Sequence, residues 1–203
     1  TWWFPIVGSI PYKGFFARDD ADKEVKTLDG RDLDTFLRPS AAFSTLGWFN
    51  DPLLSTTVRF DDLSLVNTVI HEILHNTLWI KNHAPFNETL ANFVGTTGAA
   101  EFYTKRFGAE SQQAKDAVTR WKNEIEFSRF LDGVVNDLNA VYLKEAEPIP
   151  SPSDPRYQDI IAKRNGIFEN AIRGWREKRG IPPEKEIKFN NAVIIANKIY
   201  LDR

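Results

Sequence analysis

The stretch "HEILHNTLWIKNHAPFNETLANF", residues 71–93, uses two of the chain's three histidines four residues apart, with a glutamate directly after the first. Upstream and through it, Leu65, Val66, Val69, Ile70, Ile73, Leu74 and Thr77 recur at steps of three and four. That period predicts an amphipathic helix beginning near Asp61 or Asp62, either of which can cap it. On such a helix positions i and i+4 share a face, so His71 and His75 present both imidazoles to one point. "NHAP" (82–85) ends the helix, because the residue before Pro85 is pushed out of helical geometry. Asn87 is then read as the cap of a second helix, Glu88 to about Phe107, stopped by Gly108.

Two imidazoles at this spacing suit zinc, which takes neutral imidazole nitrogens at ~2.0–2.1 Å. Glu72 sits beside the first of them, where it reaches a metal-bound water rather than the metal. His-Glu-x-x-His on a helix is the zincin signature, with the glutamate as general base. A catalytic zinc needs a third protein ligand and an open fourth position. His83 and Glu88 are the downstream candidates. His83 stands eight residues after His75, where the metzincin pattern needs six with a glycine between. Glu88 opens the next helix after a proline turn, so an antiparallel return carries its carboxylate back over the pair. Ala91, one turn later, is small enough to let the two helices approach. An E-x-x-A step supplying the third ligand is the gluzincin arrangement, and Glu88 is the ligand chosen. A bland account exists for each part: histidines satisfied within a core, and a helix-start carboxylate favoured by the dipole. The combination favours a metal.

The rest of the chain describes a scaffold. Its 203 residues are 42% hydrophobic and 27% charged, with a net charge of −2. That is enough for one domain with a sizeable core, residues 1–203 taken together. Near-neutral charge gives no electrostatic case for nucleic acid or an anionic membrane. No apolar run approaches the ~20 residues of a membrane span. Cysteine is absent, so disulfides and thiolate metal sites are excluded. Methionine is absent even at position 1, as expected of a fragment or of a processed chain, with a removed signal or lipid-anchor segment one possibility.

Residues 1–16 ("TWWFPIVGSIPYKGFF") read as one or two short strands with turns. In the charged segment 17–40, "LDGRDLD" is the clearest turn or helix-start signal. "AAFSTLGWFNDPLLSTTVRF" (41–60) reads as strand and loop, with "STTVRF" an edge strand able to pair with a peptide backbone. A third helix is expected from about Glu110 to Glu145, burying Val118, Trp121, Ile125, Leu131, Val135, Leu138 and Tyr142. The proline-rich 145–155 cannot be helical; two further helices follow, near 156–179 and 190–201. The fold class expected is mainly α (α+β), a zincin-like helical core with a small N-terminal β element.

With these residues in hand, "HEILHNTLWIKNHAPFNETLANFVGTTGA" resembles a bacterial aminopeptidase family of zinc gluzincins with an exported or membrane-anchored character. "FPIVGSIPYKGFF" is similar to that family's opening, "AFSTLGWFNDPLLST" to the segment before its metal helix, and "NNAVIIANKIY" to its terminal helix. The resemblance implies His71, His75 and Glu88 as ligands of one Zn2+ per chain, Glu72 as the catalytic residue, and a periplasmic or lipid-anchored location, with a cytoplasmic one the alternative that a cysteine-free chain also fits. Phe43 departs from it, standing where a tyrosine is expected.

The chemistry expected is hydrolysis of a peptide substrate, with Glu72 taking a proton from the attacking water and passing it to the leaving amine. Tyr12, Tyr103, Tyr142, Tyr200 and His83 are all candidates for the donor to the oxyanion. Asn67, Asn92 and Thr96 are candidates to hold the imidazoles. An aminopeptidase also needs an acid for the substrate's α-ammonium, for which Glu101 and Asp51 are available. An endopeptidase, a zinc hydrolase of esters or lactams, a zincin scaffold binding peptide without turnover and a metal-free helical interaction domain remain as alternatives.

Overall fold

The N-terminal segment folds as expected. Trp2–Phe4 (β1) and Gly8–Ile10 (β2) form a two-stranded antiparallel sheet, with Trp2 opposite Ile10, Trp3 opposite Ser9 and Phe4 opposite Gly8. The rest of the fold is helical, so the molecule is mainly α with a small β element. The computed structural model describes residues 2–4, 8–31, 33–40, 42, 54–145 (backbone alone at 144 and 145) and 150–201. Phe43, Trp48, Asp51 and the segment around them lie outside the described residues, as do 146–149 of the proline-rich connector.

Two short elements correct the sequence reading. Helix α1 spans Arg18–Asp29, where only a turn or helix start at "LDGRDLD" was expected; Gly30 ends α1 instead. Only Ala21 is buried in it, so the segment carries almost no apolar period. Its support is electrostatic: Asp19 and Asp20 in the first turn, Lys26 in the last, and an Arg18–Asp22 pair at 2.9 Å. The second correction is "STTVRF". Ser55–Val58 is a single helical turn, α2, with the Leu54 carbonyl accepting from Thr57 and Val58. Thr57 is buried there, and that packing overrides the strand preference of the β-branched residues. No edge strand lies along this segment's described residues.

Helix α3, Asp62–Thr77, starts where expected, with Asp61 accepting from the Ser64 amide at 3.0 Å. Arg120 Nη2 also donates to Asp61, tying this cap to a later helix. The helix ends at Thr77, short of the "NHAP" stop read from the sequence, with Leu78 already extended; Ala84, expected to break it, is itself helical and opens the next helix. Helix α4, Ala84–Phe107, starts earlier than expected, with Pro85 in its first turn, where a missing N–H costs nothing. Asn87 is therefore not its cap. Its side chain closes the connection instead, accepting from the Ile80 amide (2.9 Å) and donating to the Ile80 carbonyl (2.7 Å).

α3 and α4 pack through a stripe of small residues. Ala91 is buried, as anticipated, but the tightest point is Gly95. A Cβ there would sit 2.9 Å from the Asn67 carbonyl oxygen and 3.3 Å from His71 Cβ. Helix α5, Gln112–Glu145, crosses α4 and meets α6, Pro155–Arg179, and α7, Asn191–Leu201. Leu131, Val134, Leu138, Phe168, Ala171 and Ile194 form the core away from the histidines. Val118, expected inside, is 41% exposed; Ala114 and Ala117 take the buried face against Tyr103. Among the described residues no helix is long and apolar enough to cross a membrane.

Two measurements check this packing. Gly95→Ala gains ~1 kcal/mol of helix propensity but forces the new methyl onto an immovable carbonyl, which costs typically 1–3 kcal/mol. A net loss is expected, read as a lower midpoint in urea; an unchanged or raised midpoint would contradict so close a crossing. Asp61→Ala should cost about 1 kcal/mol at neutral pH. Against the push of burial, Ser64 and Arg120 hold the Asp61 carboxyl below its ordinary value. Its contribution is therefore present above the unfolded value of ~3.9 and lost as pH falls through the folded one. Wild type and variant should converge in acid.

Candidate metal centre

α3 carries His71 and His75 on the face it turns to α4, and Glu88, one turn into α4, comes back to them. His71 Nε2 lies 3.1 Å from His75 Nε2. Glu88 Oε2 lies 3.3 Å from the first nitrogen and 3.5 Å from the second. The imidazoles meet edge to face, centroids 4.8 Å apart at 85°. His75 and Glu88 are buried, at 6% and 5% exposure, and His71 is half-buried. The three residues chosen from the sequence are thus together, and His83 is not with them: it is exposed at the start of α4.

Burying a carboxylate is costly unless a positive charge or donors compensate it. Burial alone would raise Glu88, but the two histidines, by hydrogen bond and by charge, hold its carboxyl down to about 2. Among the described residues its ion-pair partners are these histidines rather than a lysine or arginine. Two imidazole nitrogens and one carboxylate oxygen within 4.8 Å of one another could hold a metal ion. The donor set is the N/O type that suits zinc and its neighbours in the series. A cation would also end the confrontation of two nitrogens at 3.1 Å, each of which could then point a lone pair at it. His75 Nδ1 is buried with no hydrogen-bond partner among the described residues, beside the Trp79 ring at 5.2 Å.

Two tyrosines border the cluster, and no spacing in the sequence announces either. Tyr12, just after β2, donates its hydroxyl to Glu88 Oε1 at 3.0 Å. Burial and the Glu88 charge push its phenol well above the ordinary range. Tyr200, at the end of α7, lies against His71, ring centroids 6.2 Å apart, and accepts from Arg38 at 3.3 Å. Burial, then the Glu88 charge, push it up to about 12 against the pull of Arg38. The Glu72 carboxylate adds a smaller push on both phenols.

Tyr200 is held by a device that sequence reading missed. The last carbonyls of a helix have no partner within it, and at the end of α7 three of them are taken by side chains of α4 and α5. Thr89 donates to Ile199 O (3.1 Å), Asn92 to Tyr200 O (3.3 Å) and Ser128 to Leu201 O (2.6 Å). Asn67, Asn92 and Thr96, read as candidates to hold the imidazoles, bond elsewhere: Asn67 to Thr96, and Thr96 and Asn92 to Glu124. Tyr103 is buried among Ala114, Ala117 and Phe107, and Tyr142 bonds Asn191. Glu101 lies 13 residues along α4 from Glu88, about 20 Å at 1.5 Å per residue, and pairs with Lys105.

The fold and cluster together define a mainly helical protein with a buried site able to hold a metal ion. The chain belongs to the family described as "Putative aminopeptidase", whose model matches residues 1–203. No curated protein and no solved structure matches it.

Alkaline titration checks the burial of Tyr200. A phenol raised from ~10 in the unfolded chain to about 12 in the fold contributes stability below pH ~10 that is lost as pH rises towards 12. In chelator-treated protein, Tyr200→Phe should flatten the fall in stability across that window. An equally steep fall in both proteins would mean the phenol is solvated.

Proposed function

We propose that the protein is a zinc-dependent peptidase, acting as an aminopeptidase, in which His71, His75 and Glu88 hold one zinc and Glu72 is the general base. The observation that carries this is the convergence of His71 Nε2, His75 Nε2 and Glu88 Oε2 in one largely buried cluster, within a chain of a family named for aminopeptidases. Bound there, zinc would supply Lewis-acid chemistry, polarising the scissile carbonyl and acidifying water.

The chain's own groups do the rest. Glu72, one residue past the first ligand, takes the proton of the attacking water and returns it to the leaving amine, a role that contributes typically 10²–10⁴-fold. Its charge bears on both Tyr12 and Tyr200, the two tyrosines that border the cluster, which supports a place for Glu72 near it. Tyr200 is the hydroxyl we assign to the developing oxyanion. It stays protonated to high pH, lies against His71, and is fixed from behind by the capped carbonyls of α7. Tyr12 is already committed to Glu88, and Tyr103 and Tyr142 are occupied elsewhere.

Elemental analysis of untagged protein tests the centre. Roughly one zinc per chain is expected, lost in Glu88→Ala, as a site of three protein ligands requires. Zinc-free wild type, even after zinc is added back, would remove the enzyme reading. Glu72→Gln should keep the zinc and lose at least ~10²-fold in turnover of an aminoacyl anilide; retained turnover would reject its role. Faster cleavage of free than of N-acetylated anilides marks an aminopeptidase, and equal rates an endopeptidase.

A further inference from the structure

Glu88 divides its two carboxylate oxygens between different partners. Oε2 faces the histidines, at 3.3 and 3.5 Å. Oε1 accepts from the Tyr12 hydroxyl at 3.0 Å, across 76 residues of chain. A carboxylate on a flexible side chain can turn about its last bond, offer both oxygens to a cation or swing away. One donor on Oε1 removes that freedom, because rotation would break the hydrogen bond in a site where water is scarce.

The position of Tyr12 follows from how the hairpin is docked. Ser9 lies on β2, and its amide leaves the sheet to donate to Asn82 Oδ1 at 3.1 Å. Asn82 belongs to the α3–α4 connection and takes a left-handed φ of 65° to make this contact. Gly8 has φ 81°, and a Cβ on it would fall 2.0 Å from the same Asn82 oxygen. The connection that receives the hairpin is also closed by Asn87, the residue before Glu88. Only Pro11, with its restricted φ, separates β2 from Tyr12. The hairpin, the connection and the third ligand therefore form one mechanical unit.

We propose that Tyr12 is a positioning residue of the metal centre: it pins Glu88 so that one oxygen, Oε2, is presented to a divalent cation, and hairpin docking through Asn82 sets that geometry. This rests on the metal-centre reading above. Its consequence is that metal affinity depends on residues of the N-terminal hairpin that contact no histidine.

The test is zinc affinity of the full chain, by competition with a chromophoric chelator, together with the visible spectrum of the Co2+-substituted protein. Wild type, Tyr12→Phe and Asn82→Gly are compared, the last keeping the left-handed φ while removing the Ser9 acceptor. Tyr12→Phe should bind zinc ~10–100-fold more weakly, the usual consequence of losing a hydrogen bond to a metal-ligating side chain. Its Co2+ bands should weaken as the freed carboxylate offers its second oxygen. Asn82→Gly should shift both readouts the same way, by less. Zinc affinity and Co2+ bands in Tyr12→Phe equal to wild type would overturn the proposal while leaving the metal centre standing, and so would weakening in Asn82→Gly alone. Wild type that binds neither ion would overturn the metal centre, and the role of Tyr12 with it.

Discussion

The structure depends on how closely α4 crosses α3. At Gly95 the α4 backbone rests directly on the Asn67 carbonyl, with His71 Cβ just beyond. Ala84, Ala91, Thr96 and Ala99 continue this buried small-residue surface along α4. Small residues at a crossing let backbones approach, and each larger side chain would set the helices apart. The separation matters because Glu88 is carried by one helix and the histidines by the other. Contacts of 3.3 and 3.5 Å tolerate little widening before three side chains stop acting as one site.

That site collects groups which a folding chain would otherwise keep in water. A buried carboxylate and two imidazoles are stable together only when charge and hydrogen-bond partners balance. Here the balance comes from three directions. The histidines answer Glu88 Oε2, Tyr12 answers Oε1, and α7 brings Tyr200 to the side of His71. The end of α7 is itself secured by polar side chains of α4 and α5, so one polar layer joins α3, α4, α5 and α7. Polar residues that look like surface positions in a linear reading, Thr89 and Asn92 among them, are structural because they meet carbonyls that no helix can satisfy internally.

Most of the helical frame was legible in the sequence because long helices write their buried face as a period. The start of α3 was read to within the pair Asp61 and Asp62, of which Asp61 is the cap, and α5, α6 and α7 within a few residues. The failures were α1, whose support is charge pairing with little apolar period, and α2, whose β-branched residues suit a strand until tertiary burial of Thr57 decides otherwise. Asn87 was misread as a cap because its preference for hydrogen-bonding nearby backbone is real. The backbone it bonds belongs to Ile80, before the helix rather than within it.

The sequence by itself determined the cluster. Helical periodicity placed His71 and His75 on one face, and the short antiparallel connection pointed to Glu88 even though the glutamate was read as opening a helix that in fact begins at Ala84, because i, i+4 geometry and a short connection are local properties. Tertiary structure alone decided what surrounds it. Tyr12 reaches Glu88 across 76 residues, and Thr89 reaches the carbonyl before Tyr200 across 110. Such pairings arise from the packing of whole elements, and no local period records which distant side chain will fill a given gap.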